Sequence, residues 1–381
     1  MFIDFNDEIL IPKGDVGDFS VIACDQFSSR PDYWEQLERE LPNGSALDYI
    51  LPECFLADAE KRIQKIKTRG VSVSERFNAV RGAVAVTRTT AFGRVRRGIV
   101  CSIDLSAYEY KPGNTALIRA SERTIEERIP PRVAIRQAVD IELPHILLLV
   151  DDRDNLLMQA VDSSSKTPLY DAKLKGNGGS VKGELISDTA ALERAAGELL
   201  KQTTDKYGTP LFGLVGDGNH SLATAKRCHE LYPTPLNGKA LVEIINIYDD
   251  GLVCEPIHRL VSVDDPVMFM DSLKSRIKGD ATSRVFAPNA IDISVPADKI
   301  EAINAVDEFC ETFVKHFGGY VEYVHGDEAL KKQGHFGIEM RGIEKSELFG
   351  YVVKNGVLPK KTFSLGEAEE KRFYVEARRI K

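Results

Sequence analysis

Residues 211–230 read LFGLVGDGNHSLATAKRCHE, and this stretch constrains the fold more than any other. An apolar run passes through Gly216-Asp217-Gly218-Asn219-His220-Ser221 directly into an alanine-containing segment with helical spacing. That pattern predicts a buried strand entering a helix across one tight turn. A helix entered this way presents backbone N–H groups that have no partner inside the helix. Together with the helix dipole they attract anions. Gly218 has no Cβ, so a phosphate can approach its backbone closely. Asn219, His220 and Ser221 line the same turn, and His220 and Ser221 add side-chain donors. Asp217 is placed to hold a magnesium ion or to accept a hydroxyl proton. The same residue types also make an ordinary turn and helix cap. Neither G-x-x-x-x-G-K-[ST] nor G-x-G-x-x-G occurs here, so the loop is not one of the common nucleotide fingerprints.

Around this unit the periodicity alternates between strand and helix. FSVIACD (19–25) reads as a strand, PDYWEQLERELP (31–42) as a helix, and 55–70 as a second helix closed by Gly70. AVAVTRTT (83–90) and RGIVCSIDLSAY (97–108) form a hairpin. Residues 114–129 read as a helix ended by Pro130-Pro131, which would bring Arg119, Glu122 and Glu126 onto one face. HILLLVDD (145–152) is a buried strand and 188–204 a helix. Strands follow at 240–249 and 251–263. The last third has helices at 265–277 and 298–317 and strands at 320–325, 335–340 and 347–354. Strict βαβ alternation is missing, so the expected class is α+β with a mixed sheet. The expected division is a main body, 1–262, and a C-terminal portion, 263–381.

Composition narrows the function classes. The 381 residues carry a formal net charge of -8 with no basic block, which argues against nucleic acid as a partner. The N-terminus, MFIDFNDEIL, has early acids and no basic region, and the apolar run ILLLV is too short to span a bilayer. The six cysteines form no C-x-x-C pair, a pattern that suits reduced core thiols in a cytoplasmic protein better than disulfides or a zinc site. No H-E-x-x-H or G-x-S-x-G motif supports zinc hydrolysis or an acyl-transfer elbow.

The loop at 217–221 resembles the signature of the family known as domain of unknown function 1015, whose usual form is Asp-Gly-His-His-Arg before an alanine-containing helix. VIACDQFSSRPDYWEQLE, LIRASERTIEERIPPR with IELPHILLLVDD, and LPKKTFSLGEAEEKRFYVEARRI resemble other parts of that family, so the likeness runs over nearly the whole chain. The family's loop is similar to the phosphate loop of the ParB/sulfiredoxin-like fold, a group that includes an ADP-dependent free-serine kinase. The resemblance implies a ParB/sulfiredoxin-like strand–loop–helix core with flanking helices. Asp217, Gly218 and His220 match the signature, Asn219 replaces its first histidine, and Ser221 replaces its arginine. The lost arginine is the fixed cation for phosphate. Candidates to replace it are Lys226, Arg227 and, from EPIHRLVS, Arg259. Lys361 in LPKKTF stands where related members have a Lys-Ser-Thr run, as a phosphate point charge. Asp25 closes the first strand in a segment that lies near the glycine loop in the family, and Arg119 with Glu122 is a candidate substrate-binding pair.

Two readings follow. One is a nucleotide-dependent phosphotransferase acting on a small metabolite, using ADP or ATP with Mg2+, in which Asp217, His220 and Asp25 are catalytic. The other is a non-catalytic module that binds a nucleotide or another anion.

Overall fold

The computed structural model describes residues 2–28, 30–68, 72–287, 289–326 and 330–381. The chain forms two units, Met1–Leu252 with Ala368–Lys381, and Val253–Glu367. The expected boundary between 262 and 263 therefore needs correction. It falls at the end of a strand, Cys254–Ser262, that belongs wholly to the second unit. The last fourteen residues return to the first unit, so 263–381 is not one continuous portion.

The first unit is built on a ten-stranded mixed sheet. Its order is Thr167–Lys173, Ser180–Ile186, Ala83–Thr89, Val95–Asp104, Lys239–Asn246, Leu147–Val150, Gly213–Asp217, Ile118–Ala120 and Tyr108–Glu109, with Ile3–Asp4 also pairing on Val95–Asp104. The predicted hairpin is present: Val84 faces Val100 in an antiparallel ladder. Gly213–Asp217 runs antiparallel to Leu147–Val150 and parallel to Ile118–Ala120. Period two explains the two-sided core. Ile99 and Val242 point into one cluster with Leu148, Phe212 and Val215, while their neighbours Val100 and Leu241 point into another with Trp34, Leu37 and Tyr374. Central strands buried on both faces must be apolar throughout, which is why ILLLV carries no alternation.

Two expected elements in this region differ. Residues 114–129 are not a helix: Ile118–Ala120 is a buried strand between Gly213–Asp217 and Tyr108–Glu109. The helix is Ile129–Ala138, and Pro130-Pro131 opens it instead of ending it. Proline suits the first turn because its missing N–H would have no intrahelical partner there. Arg119, Glu122 and Glu126 therefore share no helix face. The predicted helix at 55–70 is Ala59–Thr68 after a 3-10 turn, and Gly70 lies outside the described residues.

The C-terminal segment is tied into the first unit. Phe373–Tyr374 pairs with Val21–Ile22 and Arg378–Arg379 with Ile141–Glu142. Buried Arg372 donates to Glu243 (2.7 Å), Glu376 (2.6 Å) and the Pro144 carbonyl (2.7 Å), and Arg378 donates to Asp7 (2.8 Å). A buried guanidinium with this many acceptors is costly to unpair, so the segment is fixed in register.

The second unit carries a six-stranded sheet and helices Pro266–Arg276, Lys299–Phe317 and Lys345–Asn355. The strand expected at 347–354 is the last of these helices. Glu344 and Glu347 form a reciprocal capping box, Gly356 follows the C-terminus, and Leu348, Phe349 and Val352 are the buried stripe.

Candidate functional site

The strand Gly213–Asp217 delivers Asp217 to its C-terminal edge, and Gly218 turns the chain into the helix Asn219–Leu231. Gly218 sits at φ +81°, and a Cβ there would lie 3.0 Å from Ile146 Cα. Backbone conformation and close approach both demand glycine. The first intrahelical bond runs from Leu222 N–H to the Gly218 carbonyl, so the amides of Asn219, His220 and Ser221 precede the ladder. Leu222 and Ala225 anchor the helix on the sheet, and Ala223 and Cys228 pack it against Ile129 and Val133.

Asp217 is buried. Its Oδ1 accepts from the Gly218 N–H (3.0 Å) and from the Lys371 ammonium (2.7 Å). Its Oδ2 is buried with no hydrogen-bond partner among the described residues. Burial pulls the Lys371 ammonium down, but the carboxylates of Asp217, Asp25 and Glu122 outweigh it and hold the lysine above its ordinary value. Asp25, Glu122 and Asp217 thus meet in the field of one cation. Sequence reasoning singled out Lys361 and passed over Lys371, which lies in an acid-rich stretch that looks like a solvated tail.

His145 is the second residue missed. It is buried, with Nε2 3.3 Å from Ser221 Oγ and 3.8 Å from Asp25 Oδ1. Its Nδ1 is 2.9 Å from the Tyr374 hydroxyl oxygen, which also accepts from the Cys24 N–H at 3.1 Å. Burial, with the Asp25 charge beside it, pushes the Cys24 thiol up to about 12, so Cys24 is not a thiolate nucleophile near neutrality.

The other expected residues have defined places. His220 Nε2 accepts from the Ile125 N–H (3.1 Å), which fastens the 121–125 loop to the helix start, so that nitrogen does not act as the anticipated donor. Asn219 Nδ2 donates to the Val215 carbonyl (3.2 Å), and its Oδ1 is buried with no hydrogen-bond partner among the described residues. Arg119 is buried, and burial lowers its guanidinium. It donates to the Ala116 carbonyl (2.9 Å), Thr209 Oγ1 (3.2 Å) and the Pro210 carbonyl (3.1 Å), which makes it a brace between segments. Lys226 is bonded to the Tyr108 carbonyl and Glu109, and exposed Arg227 to Glu230. In the second unit, Arg259 is fully buried and bidentate to Asp307 (2.7 and 2.8 Å), and the Lys361 carbonyl accepts from it at 3.1 Å. Its fork is already filled by a carboxylate, so it does not replace the loop arginine.

The donor set fits a phosphate: amides at a helix start, the Ser221 hydroxyl and a lysine ammonium. Among the described residues no three His, Cys, Asp or Glu are grouped to hold a metal. Magnesium bound with a nucleotide needs only one or two carboxylates plus phosphate oxygens and water, and the orphaned Asp217 Oδ2 is such an acceptor. Among the described residues no helix is long and apolar enough to cross a membrane.

A search of the curated proteins finds no match. Solved structures that align with the chain include a free serine kinase variant in complex with AMP (10% identity, 72% of this chain and 87% of that one, TM-score 0.41). Another is a conserved hypothetical protein from Pyrococcus furiosus (11% identity, 72% and 90%, TM-score 0.38). A third is SbnI with a C-terminal truncation from Staphylococcus aureus (11% identity, 70% and 82%, TM-score 0.39). The model of the protein family of unknown function DUF1015 matches residues 7–356, and the chain belongs to that family.

Proposed function

We propose that the protein is a nucleotide-dependent phosphotransferase acting on a small metabolite, with its phosphate site at the start of the Asn219–Leu231 helix. The observation that carries this reading is the Lys371 ammonium on Asp217 Oδ1, the same oxygen that accepts the Gly218 N–H. It brings a cation to the loop whose arginine position is occupied by Ser221. Phosphoryl transfer asks mainly for positioning and charge neutralisation, and amides plus an ammonium supply both. Asp25 and Glu122 supply carboxylates beside that cation, for a hydroxyl proton or for magnesium arriving with the nucleotide. The acidic surplus favours an enzyme over a passive anion binder, because carboxylates weaken anion binding unless they act on a metal or a proton.

The test is a thermal-shift screen of ADP, ATP and inorganic phosphate with and without magnesium, followed by phosphorus NMR with pooled hydroxyl and amino metabolites. The expected result is stabilisation by nucleotide that needs magnesium, and a new phosphoester signal. Stabilisation by phosphate and nucleotide alike, with no phosphoester from any pool, would favour the anion-binding module.

A further inference from the structure

Ser221 and His145 make an arrangement that the phosphate site alone does not require. We propose that Ser221 is a nucleophile that takes the phosphoryl group onto its own hydroxyl, with His145 as its base; this rests on the phosphotransferase reading above. The geometry is that of a nucleophile, a base and an orienting group. Ser221 Oγ lies 3.3 Å from His145 Nε2, and the far side of the ring, Nδ1, lies 2.9 Å from the Tyr374 oxygen. The base takes the tautomer with its proton on Nδ1: the Tyr374 oxygen, which accepts from the Cys24 amide, then also accepts from His145 Nδ1–H. Nε2 is then the lone-pair nitrogen and faces the serine.

The step balances. Ser221 Oγ attacks the terminal phosphorus of a nucleoside triphosphate, forming the Oγ–P bond. The bond from that phosphorus to the bridging oxygen breaks, and its electron pair leaves with the nucleoside diphosphate. The serine proton moves to His145 Nε2, and the resulting imidazolium faces Asp25 Oδ1 at 3.8 Å, which stabilises the charge. A phosphoryl group on Ser221 sits in the first turn of the helix, where the amides of Asn219, His220 and Ser221 favour negative charge. In the discharge step the acceptor oxygen bonds the phosphorus as the Ser221 Oγ–P bond breaks, His145 returns its proton to Ser221 Oγ, and the acceptor's own proton passes to water.

The experiment is to incubate the full chain with ATP and magnesium and no acceptor, quench in acid, and map phosphorylation by peptide mass spectrometry. The expected result is phosphoserine at Ser221. Ser221→Ala should carry no label while keeping the wild-type melting temperature. His145→Gln should label slower by about 10²–10⁴. Since His145 is buried and its variant risks misfolding, Tyr374→Phe is the companion, because it keeps the ring and removes only the hydroxyl that orients Nδ1. Slower labelling in a Tyr374→Phe protein with unchanged near-ultraviolet circular dichroism supports the base assignment. Three results overturn the proposal. Nucleotide binding and phosphoester product without label at Ser221 sink the covalent step and leave the phosphotransferase reading intact. Label unaltered in Ser221→Ala sinks the assignment of the nucleophile. No nucleotide binding at all sinks this proposal together with the reading it rests on.

Discussion

Replacing Lys371 with methionine separates the site's electrostatics from its packing. Methionine keeps a long apolar stem and removes the ammonium. Asp217 Oδ1 would then retain the Gly218 N–H alone, in the company of Asp25 and Glu122. Breaking a buried pair by deleting one partner costs about 3–5 kcal/mol. The side chains of Lys371 and Asp217 are 16% and 10% exposed, so residual water lowers the expected cost to about 2–4 kcal/mol. At about 2–4 °C per kcal/mol for a domain of this size, the melting temperature should fall by roughly 4–16 °C. The pH dependence has a definite sign. The lysine's folded value is raised, so its contribution is fully present below the unfolded lysine value and is lost only as pH rises through the folded one. The wild type should therefore lose none of this term between about pH 6 and about pH 9. The decisive assay is a urea-denaturation double-mutant cycle with Asp217→Asn. Removing both charges should recover more than about 1 kcal/mol of the summed single losses. Strict additivity would refute the coupling between Lys371 and Asp217, and with it the claim that this lysine belongs to the loop.

Two further predictions concern the same site. Gly218→Ala should cost about 1–3 kcal/mol, because alanine must take φ +81° and its Cβ meets Ile146, and it should weaken phosphate binding as the helix start shifts; an unchanged urea midpoint would count against the cramped turn. Alkylation of Cys24 should be slow at neutral pH and should rise about tenfold per pH unit well into the alkaline range, since burial and Asp25 push its thiol to about 12; a plateau near the ordinary thiol value, followed by mass spectrometry, would overturn that.

Local chemistry and periodicity decide which parts of this architecture a reader of the sequence can find. The Gly213–Asp217 strand and its helix are legible because an apolar run, a glycine at the turn and an alanine-rich stretch all agree. The Ala83–Thr89 and Val95–Asp104 hairpin is legible from its period of two. The failure at 114–129 is equally local. A three-residue buried strand is too short to show a period, and its arginine and glutamates mimic a solvated helix face. Pro130-Pro131 punctuates either end of a helix, and only the tertiary contacts of Ile129 and Val133 reveal which. At 345–355 the apolar spacing fits a strand or a helix, and the capping box decides.

The site itself is split in the same way. Its loop lies in one contiguous stretch, and a contiguous stretch can be read. Its cation and its histidine come from elsewhere, and each is disguised by its neighbours. Lys371 follows Glu369 and Glu370 and precedes Arg372, so the segment looks like a charged surface tail. In the structure the segment is an internal strap, with Arg372, Glu376 and Arg378 buried in pairs that hold Lys371 at the loop. His145 stands between a proline and an apolar run, the usual setting of a satisfied core histidine. What distinguishes it is that its two ring nitrogens face different residues, Ser221 on one side and Tyr374 on the other. The substitution of serine at the loop's arginine position then has a physical sense. With Lys371 already on Asp217, the loop holds a cation without an arginine at 221. The serine at 221 instead presents a hydroxyl to His145.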